Sequence, residues 1–539
     1  MKESWRQAGA VALALTALCV LAYGSNALHG GFISDAWANR AIHVFAPDAG
    51  FFGKLDRFLD QPNIAARPLY AVYLVALNGA FGSHMGVWLA WLGATSVLMS
   101  LILYLLLRRL DFEFLDAGLI ACLVLIFPAA GSLRLWAATA QIPIALSLAL
   151  LGFLLALVAF DARGARRTSL HCASLGSFVA SLLFYETAMP LMLASVLLYR
   201  LKVPWSRAVR RWTLDLIVLV SVAVVAAASA SGAKEVQSVA GMWHHAGTIF
   251  DQIWTLLALV VLPFGSDSWY VLALAGLVPL AAVLVARWLP REDPARAPLR
   301  RWLAVLVGGL LVVVLGYAVF VPGIDYYAPL GPGIADRVNA VPSIGWVLSL
   351  YALIMLSATL VFRGVTGSRA LTSALVSLAC ALVAIGWMQS ISRDSDAYTS
   401  AHIEDQRVLA VIRAVLPEAP THGTIWTFGQ PVEIAPGVPV FGNTWDMTTS
   451  VQLMYDDPTI RSFVGFPGTT FECAPQAIVP GGHAAYPPAD PGQPSAFSST
   501  YGTTYFVDTV TGRTEALLDP AQCRHAAESF ERSPPLPGG

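Results

Sequence analysis

The chain has 539 residues, of which 56% are hydrophobic and only 12% are charged, with a formal net charge of −1 at pH 7. Apolar runs of about 16 to 24 residues recur through its first 391 residues, which exceeds what a soluble core needs and predicts an α-helical polytopic membrane protein. Residues 392–539 hold 7 basic and 16 acidic residues, which leaves a net charge of +8 on the rest, so the composition argues against nucleic acid as a partner.

Eleven apolar runs are predicted to be transmembrane helices, near residues 8–23, 86–107, 116–131, 137–160, 170–186, 188–200, 212–231, 269–287, 302–321, 341–361 and 369–389. Alternate connections between them hold 19 of the 33 basic residues, against 7 in the opposite connections. Because cationic loops resist translocation, we expect a multi-pass protein of the plasma membrane with a cytoplasmic N-terminus. An odd number of spans then places the C-terminal domain outside.

Two further apolar stretches, 68–82 and 250–264, are interpreted as interfacial or re-entrant helices, the first of them inside the 24–85 loop. Counting either alone as a span would move every later arginine cluster to the outer face. The alternative is a thirteen-span protein in which both cross. The first run also fits a signal peptide, but we prefer a retained span because no convincing small-x-small cleavage site accompanies it.

Residues 392–530 change character, with Pro, Gly and short alternating stretches, and predict a small extracytoplasmic α+β domain. It should open with a helix at about 401–416 and continue as strands, followed by a disordered tail at 531–539. Cys473 and Cys523 are its only cysteines, and in an oxidising compartment we expect them to form a disulfide, the alternative being two free thiols. No cysteine spacing suggests a zinc site.

The predicted outer loops carry an unusual mixture of acids and cations, beginning with Ser34-Asp35-Ala36-Trp37 and Arg67-Pro68-Leu69-Tyr70. Charged groups that cap a membrane domain are costly unless they serve a site. One carboxylate that acts as a base, with cations that hold a phosphate, is the set needed to move a sugar from a lipid phosphate to an acceptor.

The order of four segments resembles the GT-C superfamily of membrane glycosyltransferases. These are the acidic motif at Asp35, Arg67-Pro68-Leu69 opening an apolar helix, Trp136 after a span that contains Pro128, and Phe184-Tyr185-Glu186-Thr187 at a helix end. In addition, the segment from Asp336 to Gly345 (DRVNAVPSIG) is similar to the arginine-containing segment of protein O-mannosyltransferase-like members. The resemblance covers residues 1–391.

This resemblance implies a GT-C-like fold and an inverting hexosyl or pentosyl transfer from a polyprenyl-phosphate-linked sugar to an extracytoplasmic acceptor in the cell envelope, whether glycan, lipid or protein. By position, Asp35 would be the base and Arg67 and Arg337 would bind the donor phosphate. The resemblance implies a shared cavity with Glu186 in its lining, and we add Arg134 and Tyr327 as lining candidates. It names no certain cofactor, and assistance by a divalent metal is left open.

Asp35 and Arg67 each have a simpler interpretation. Asp35 follows a span and could cap an interfacial helix, in competition with Ser34. Arg67 could be an interfacial anchor whose charge snorkels to water, with Pro68 at the favoured first position of a helix.

The remaining site candidates also have simpler readings. Glu186 could bond only a neighbouring helix, and Arg337 could pair with Asp336 or Asp325. His244 and His245 are adjacent on a helix, so they point about 100° apart and cannot easily share a metal. Two other groups fit ordinary surface roles. Trp243, Tyr326 and Tyr327 fit an aromatic belt, and Asp56 with Asp60 fits a solvated helix face.

Other functions remain open at this point. A transporter or flippase of lipid-linked sugars would place ionisable groups near mid-span, whereas here they gather at the outer ends. A structural subunit would tolerate loss of Asp35 but not of the C-terminal domain. A polysaccharide polymerase or ligase of related architecture would use an oligosaccharide donor on pyrophosphate.

Overall fold

The fold is mostly helical, with a small sheet near the C-terminus. The computed structural model describes residues 2–48, 50–229, 238–261, 269–288, 296–323, 329, 333–362, 368–418, 420–442, 444–466, 469–481 and 498–530. Within these ranges, eighteen α-helices precede the sheet: α1 (Lys2–His29), α2 (Asp35–Val44), α3 (Phe51–Leu59), α4 (Pro62–Ala65), α5 (Pro68–Phe81), α6 (Met85–Arg109), α7 (Phe114–Leu125), α8 (Ser132–Leu135), α9 (Gln141–Asp161), α10 (Gly164–Phe184), α11 (Met189–Leu193), α12 (Ser195–Arg200), α13 (Trp205–Ser229), α14 (Val239–Val261), α15 (Trp269–Trp288), α16 (Arg296–Ala318), α17 (Ala340–Val361) and α18 (Ser368–Val415). Short 3₁₀ helices cover Pro128–Ala130, Ala137–Thr139, Glu186–Ala188 and Ile334–Asn339.

Seven helical segments among the described residues are long and apolar enough to cross a membrane: Trp5–His29, Met85–Arg109, Ala137–Asp161, Trp205–Ala228, Arg296–Ala318, Ile334–Val361 and Ala370–Val415. Each of them contains most or all of one of the eleven predicted runs. The prediction of a helical membrane protein with a small C-terminal sheet region is therefore confirmed at this level.

Of the other four runs, two are interrupted and two lie in helices. Run 116–131 is not one helix, because α7 ends at Leu125 and Phe127 takes an extended conformation before Pro128. A proline disfavours helical backbone in the residue before it and has no N–H to donate. Run 188–200 is split into α11 and α12 at Ala194. Runs 170–186 and 269–287 lie largely within α10 and α15.

The two stretches set aside as non-spanning also have different outcomes. Stretch 68–82 corresponds to α5, a 14-residue helix with Pro68 in its first turn, as predicted. Stretch 250–264 is the second half of the 23-residue helix α14, so a separate short helix there was wrong. Its last three residues lie outside the described ranges.

Close helix packing in the membrane part depends on glycine. A Cβ atom on Gly309 of α16 would lie 2.5 Å from Ser349 Oγ of α17, and one on Gly345 of α17 would lie 2.5 Å from the Gly309 carbonyl oxygen. Such small residues let two helix backbones approach closely, which is how apolar helices gain packing energy in lipid. This pair holds the N-terminal end of α17, and with it the 3₁₀ helix that carries Arg337.

The predicted helix at 401–416 is not separate. It is the last part of α18, a continuous helix of 48 residues that also contains the predicted span 369–389. The predicted boundary at residue 391 therefore falls inside a helix, which links the apolar part of the chain to the C-terminal domain without a loop.

The C-terminal domain is built on a four-stranded sheet in the order β4–β1–β7–β8, where β1 is parallel to both β4 and β7, and β7 is antiparallel to β8. The described strands are β1 (Thr424–Phe428), β2 (Glu433–Ala435), β3 (Val438–Pro439), β4 (Arg461–Val464), β5 (Thr470–Cys473), β6 (Ile478–Gly481), β7 (Thr504–Asp508) and β8 (Thr514–Leu517), and the helices are α19 (Thr444–Tyr455) and α20 (Pro520–Ser529). The two predicted strand segments are neighbours, with Thr424 opposite Thr504.

The predicted disulfide is present and joins Cys473 of β5 to Cys523 of α20, with the Cα atoms 5.8 Å apart. It closes a loop across 50 residues of a domain whose second core is small and aromatic. The predicted tail at 531–539 lies outside the described residues.

Candidate functional site

An open recess lies where the first loop meets the ends of several apolar helices. It brings together Asp35, Arg67 and Arg337, which are separated by up to 302 positions in the sequence. Its other polar lining residues are Asn39, Asn63, Thr139 and Gln141, and its aromatic ones are Tyr70, Trp136 and Tyr185. The charged groups of this lining are one carboxylate and two guanidinium groups, and the guanidinium of Arg67 is paired with Glu186.

Arg67 is held in a fixed orientation at the start of α5. Its Nε and Nη2 atoms donate to the two carboxylate oxygens of Glu186, at 2.8 and 2.5 Å. Its guanidinium also lies 4.4 Å from the centre of the Tyr185 ring. The Arg67 side chain is only 12% exposed, whereas that of Glu186 is 38% exposed. The two parallel bonds to Glu186 and the contact with the Tyr185 ring together fix the orientation of the Arg67 guanidinium. A simple interfacial anchor does not require a fixed orientation.

Glu186 reaches this pair because α10 ends just before it. Tyr185 adopts an extended conformation after Phe184, and a 3₁₀ turn then begins at Glu186. Glu186 was expected to line the cavity, but the lining of this recess contains Tyr185 and not Glu186. Glu186 instead acts on the recess indirectly, through its bonds to Arg67.

Arg337 lies on the 3₁₀ helix before α17, with its guanidinium carbon 5.3 Å from the centre of the Trp136 ring. The Trp136 indole N–H in turn donates to the Ile33 carbonyl oxygen at 2.8 Å. Trp136 thus contacts both the cation at Arg337 and the backbone two residues before Asp35.

Asp336 does not neutralise Arg337. Its buried carboxylate accepts from the backbone N–H of Ser132, at 3.2 and 3.3 Å, and from the Ser132 hydroxyl. The two side chains are neighbours on a 3₁₀ helix and leave it in different directions. The alternative partner Asp325 lies outside the described residues.

Asp35 is the first residue of α2 and is half-buried. Its Oδ1 atom accepts from the indole N–H of Trp445, a residue of the C-terminal domain, at 2.9 Å. Ser34 makes no side-chain cap bond, so the simple capping interpretation fails for both residues. Ser34 has a φ of 51°, an unfavourable value for a residue with a side chain, and such strain is common where a functional residue must be aimed.

In the Ser34-Asp35-Ala36-Trp37 motif, the side chains of Asp35 and Trp37 lie on opposite sides of α2, because residues two apart on a helix point in nearly opposite directions. Asp35 faces the recess, while Trp37 is buried and its indole N–H donates to Asp405 of α18 at 3.4 Å. Close approach of α18 to this loop needs Gly31, since a Cβ atom there would lie 2.1 Å from the His402 ring. The long helix therefore braces the segment that aims Asp35.

Arg134 was expected to line the cavity, and this is wrong for the recess described here. Its side chain is buried in the protein and donates to the carbonyl oxygens of Ala130 and Val124, each at 2.8 Å. It satisfies backbone groups that the break between α7 and α8 leaves without helical partners. Tyr327, the other expected lining residue, lies outside the described residues.

A smaller apolar recess adjoins the first and shares Asn39, Tyr70 and Ala138 with it. Burial and the nearby Asp35 carboxylate raise the pKa of Tyr70, so its hydroxyl remains protonated at neutral pH.

Three basic side chains lie close together on α2 and α3. Lys54 Nζ lies 3.1 Å from His43 Nε2, and Arg40 donates to the Asn78 carbonyl oxygen at 3.3 Å. Burial, Lys54 and Arg40 lower the pKa of His43 to about 4, so it is neutral at pH 7.

No group of three or more His, Cys, Asp and Glu side chains suited to a metal ion occurs among the described residues. His244 is exposed and His245 is buried, which agrees with the expectation that adjacent histidines face different ways. Asp56 and Asp60 are exposed, as a solvated face requires.

The sequence reasoning missed several lining residues. Asn39 had a usable signal, because it lies four residues after Asp35 and so on the same face of α2. Thr139 and Gln141 had none, since they occupy a segment predicted as an ordinary span. Trp445 also had none, because it lies 410 positions from Asp35.

Comparison of the chain with protein-family models and with curated proteins found no match. The geometry of the recess therefore has to carry the functional argument by itself.

Proposed function

We propose that the chain is an integral-membrane glycosyltransferase of the GT-C type, which moves a hexosyl or pentosyl group from a polyprenyl-phosphate donor to an extracytoplasmic acceptor. The observation that carries the proposal is the recess in which Asp35, Arg67 and Arg337 lie together. This combination of one acid and two oriented cations is what an inverting transfer from a phosphate leaving group requires.

In this reaction the acceptor hydroxyl attacks the anomeric carbon of the sugar, and the bond from that carbon to the phosphate oxygen breaks. The hydroxyl proton passes to the Asp35 carboxylate. The electron pair leaves with the lipid phosphate, whose charge increases and is stabilised by Arg67 and Arg337.

We also propose an orientation in the plasma membrane. The chain has eleven spans and a cytoplasmic N-terminus, and the recess lies at the outer face. Three expected cytoplasmic connections contact one another: Arg109 pairs with Asp161, and Lys202 pairs with Asp111 at 2.5 Å. Arg301, from a fourth, donates to the Asp111 carbonyl oxygen at 3.0 Å. The recess is lined by connections from the opposite set. The Cys473–Cys523 disulfide further supports an oxidising compartment for the C-terminal domain.

The charge of the recess favours a monosaccharide on a monophosphate. The lining holds one carboxylate and two guanidinium groups, and Glu186 pairs with one of these guanidinium groups, so the positive charge that faces a leaving phosphate is small. An oligosaccharide pyrophosphate, as a polymerase or ligase would use, carries more charge and more bulk, and is the less favoured donor. A flippase of lipid-linked sugars needs no base at the recess.

The proposal is tested by measuring the binding of polyprenyl phosphate to the purified full-length protein in nanodiscs. We expect Asp35→Asn to bind with nearly unchanged affinity, because this residue acts on the acceptor. We expect Arg337→Ala to bind about tenfold more weakly, since it loses a charged contact to the phosphate.

Asp56→Asn is the matched control, because it removes an exposed carboxylate from the same loop. Equal binding by wild type, Arg337→Ala and the control would contradict the phosphate assignment.

A further inference from the structure

The C-terminal domain reaches the recess through one side chain. Trp445, near the start of α19, donates its indole N–H to Asp35 Oδ1 at 2.9 Å, and α19 packs along α2. Among the described residues, this is the one hydrogen bond that the Asp35 carboxylate makes, and its Oδ2 atom accepts none.

The helix that carries Trp445 is firmly attached to its own domain. Met447 and Val451 of α19 are buried in the core. Thr448 donates its hydroxyl to the Ser462 carbonyl oxygen of β4 at 2.6 Å and accepts from the Ser462 N–H at 3.1 Å. Trp445 itself is 46% exposed, so it projects from a fixed helix instead of filling the core.

An indole N–H can donate but cannot accept a proton in a hydrogen bond. A contact with Asp35 Oδ1 therefore fixes the plane of the carboxylate without competing for the proton that Oδ2 would receive. Hydrogen bonds from a neutral donor to a carboxylate are also stronger than those between neutral groups. Trp445 thus has the chemistry and the place to orient a base.

We propose that Trp445 is a positioning residue for Asp35, so that docking of the C-terminal domain completes the transferase site. This inference rests on the proposed function. Because Asp35 Oδ1 is held by Trp445, the acceptor hydroxyl is directed to Oδ2, and the indole itself takes no part in proton transfer.

The test compares Trp445→Phe with wild type in sugar transfer from a polyprenyl monophosphate donor. Phenylalanine keeps an aromatic ring at a half-exposed site but loses the N–H. We expect kcat to fall about tenfold and the KM for the donor to stay within about twofold, because a positioning bond acts on the chemical step. In an Asp35→Asn background the same substitution should cause no further loss.

Trp243→Phe is the control, since Trp243 is 76% exposed on α14 and has no place in the recess lining. It should transfer at the wild-type rate. A kcat for Trp445→Phe equal to that of the control, in an active enzyme, would overturn this inference and leave the proposed function standing. Absence of transfer by the wild type would overturn both.

A second measurement does not depend on turnover. In ¹⁵N-tryptophan-labelled protein, the indole signal of Trp445 is the one that Trp445→Phe removes. We expect that signal to move upfield in Asp35→Ala, because the donor loses its carboxylate partner. A signal at the same position in both proteins would mean that the contact does not form, and would overturn the inference.

Discussion

Arg67 is the residue whose surroundings best separate an oriented phosphate ligand from an interfacial anchor. Its two bonds to Glu186 and its contact with Tyr185 use the planar shape of guanidinium as well as its charge. A lysine at this position keeps the charge and the ability to snorkel, but it cannot form the fork.

We therefore expect Arg67→Lys to lower the rate of sugar transfer about tenfold, which corresponds to about 1.4 kcal/mol. Arg57→Lys, at an exposed position in the same loop, should have no effect. Initial rates measured in nanodiscs decide the point. Wild-type turnover by Arg67→Lys would favour the anchor interpretation.

His43 gives the structure a defined response to acid. Its folded-state pKa of about 4, caused by burial and by Lys54 and Arg40, lies below the usual value of about 6.5 for an unfolded chain. The unfolded state therefore binds more protons than the folded state between these two pH values. The contribution of His43 to the free energy of unfolding is fully present above pH 6.5 and is lost as pH falls toward 4.

We expect this group to contribute on the order of 2 kcal/mol to that loss. Thermal unfolding of the wild type in detergent should show a larger fall between pH 6.5 and pH 4 than that of His43→Gln. His84→Gln, which changes an exposed histidine, should retain the wild-type pH dependence. An identical pH dependence in all three proteins would contradict the assignment.

At the scale of elements, α18 is the connection that matters most for the site. It runs unbroken from the apolar part of the chain into the C-terminal domain, and it contacts Gly31 and Trp37 on the segment before and within α2. A stiff helix keeps the distance between the two parts constant, so α19 can hold Trp445 against Asp35.

A proline in the middle of α18 should uncouple the two parts. Ser392 is exposed on this helix, and Ser392→Pro removes one helical hydrogen bond and bends the axis at a cost of about 3 kcal/mol. We expect transfer to fall at least about tenfold while binding of polyprenyl phosphate persists, since Arg67 and Arg337 lie outside the bend. Ser392→Ala is the control, and wild-type transfer by Ser392→Pro would show that continuity is not required.

At the scale of the whole molecule, apolar run length predicts where helices lie better than where they break. Seven of the eleven predicted runs lie in helices suited to cross a membrane. The break between α7 and α9 was missed, although Pro128 lies within it, because hydropathy stays high through residues that do not form one helix. Helix α18 was divided in two because its composition changes at residue 391 while its backbone does not.

The site was predictable only in part, because the sequence shows which residues are charged but not which groups they contact after folding. Asp35, Arg67 and Arg337 are charges in apolar surroundings, which composition alone marks as costly and therefore noteworthy. Arg134 is equally conspicuous in the sequence, yet it serves backbone carbonyls in the core. Trp445 is an ordinary tryptophan in a polar domain, and only the packing of α19 on α2 gives it a role.

The most direct test of the whole account is transfer of labelled sugar in membranes that contain the full-length protein and its native acceptors, supplied with hexosyl and pentosyl polyprenyl monophosphates. We expect wild type to release polyprenyl phosphate and to label an acceptor. Asp35→Asn, which keeps the shape of the side chain but removes the base, should be slower by about 10² to 10⁴. Equal rates for the two proteins, or no release from any of these donors by the wild type, would contradict the account.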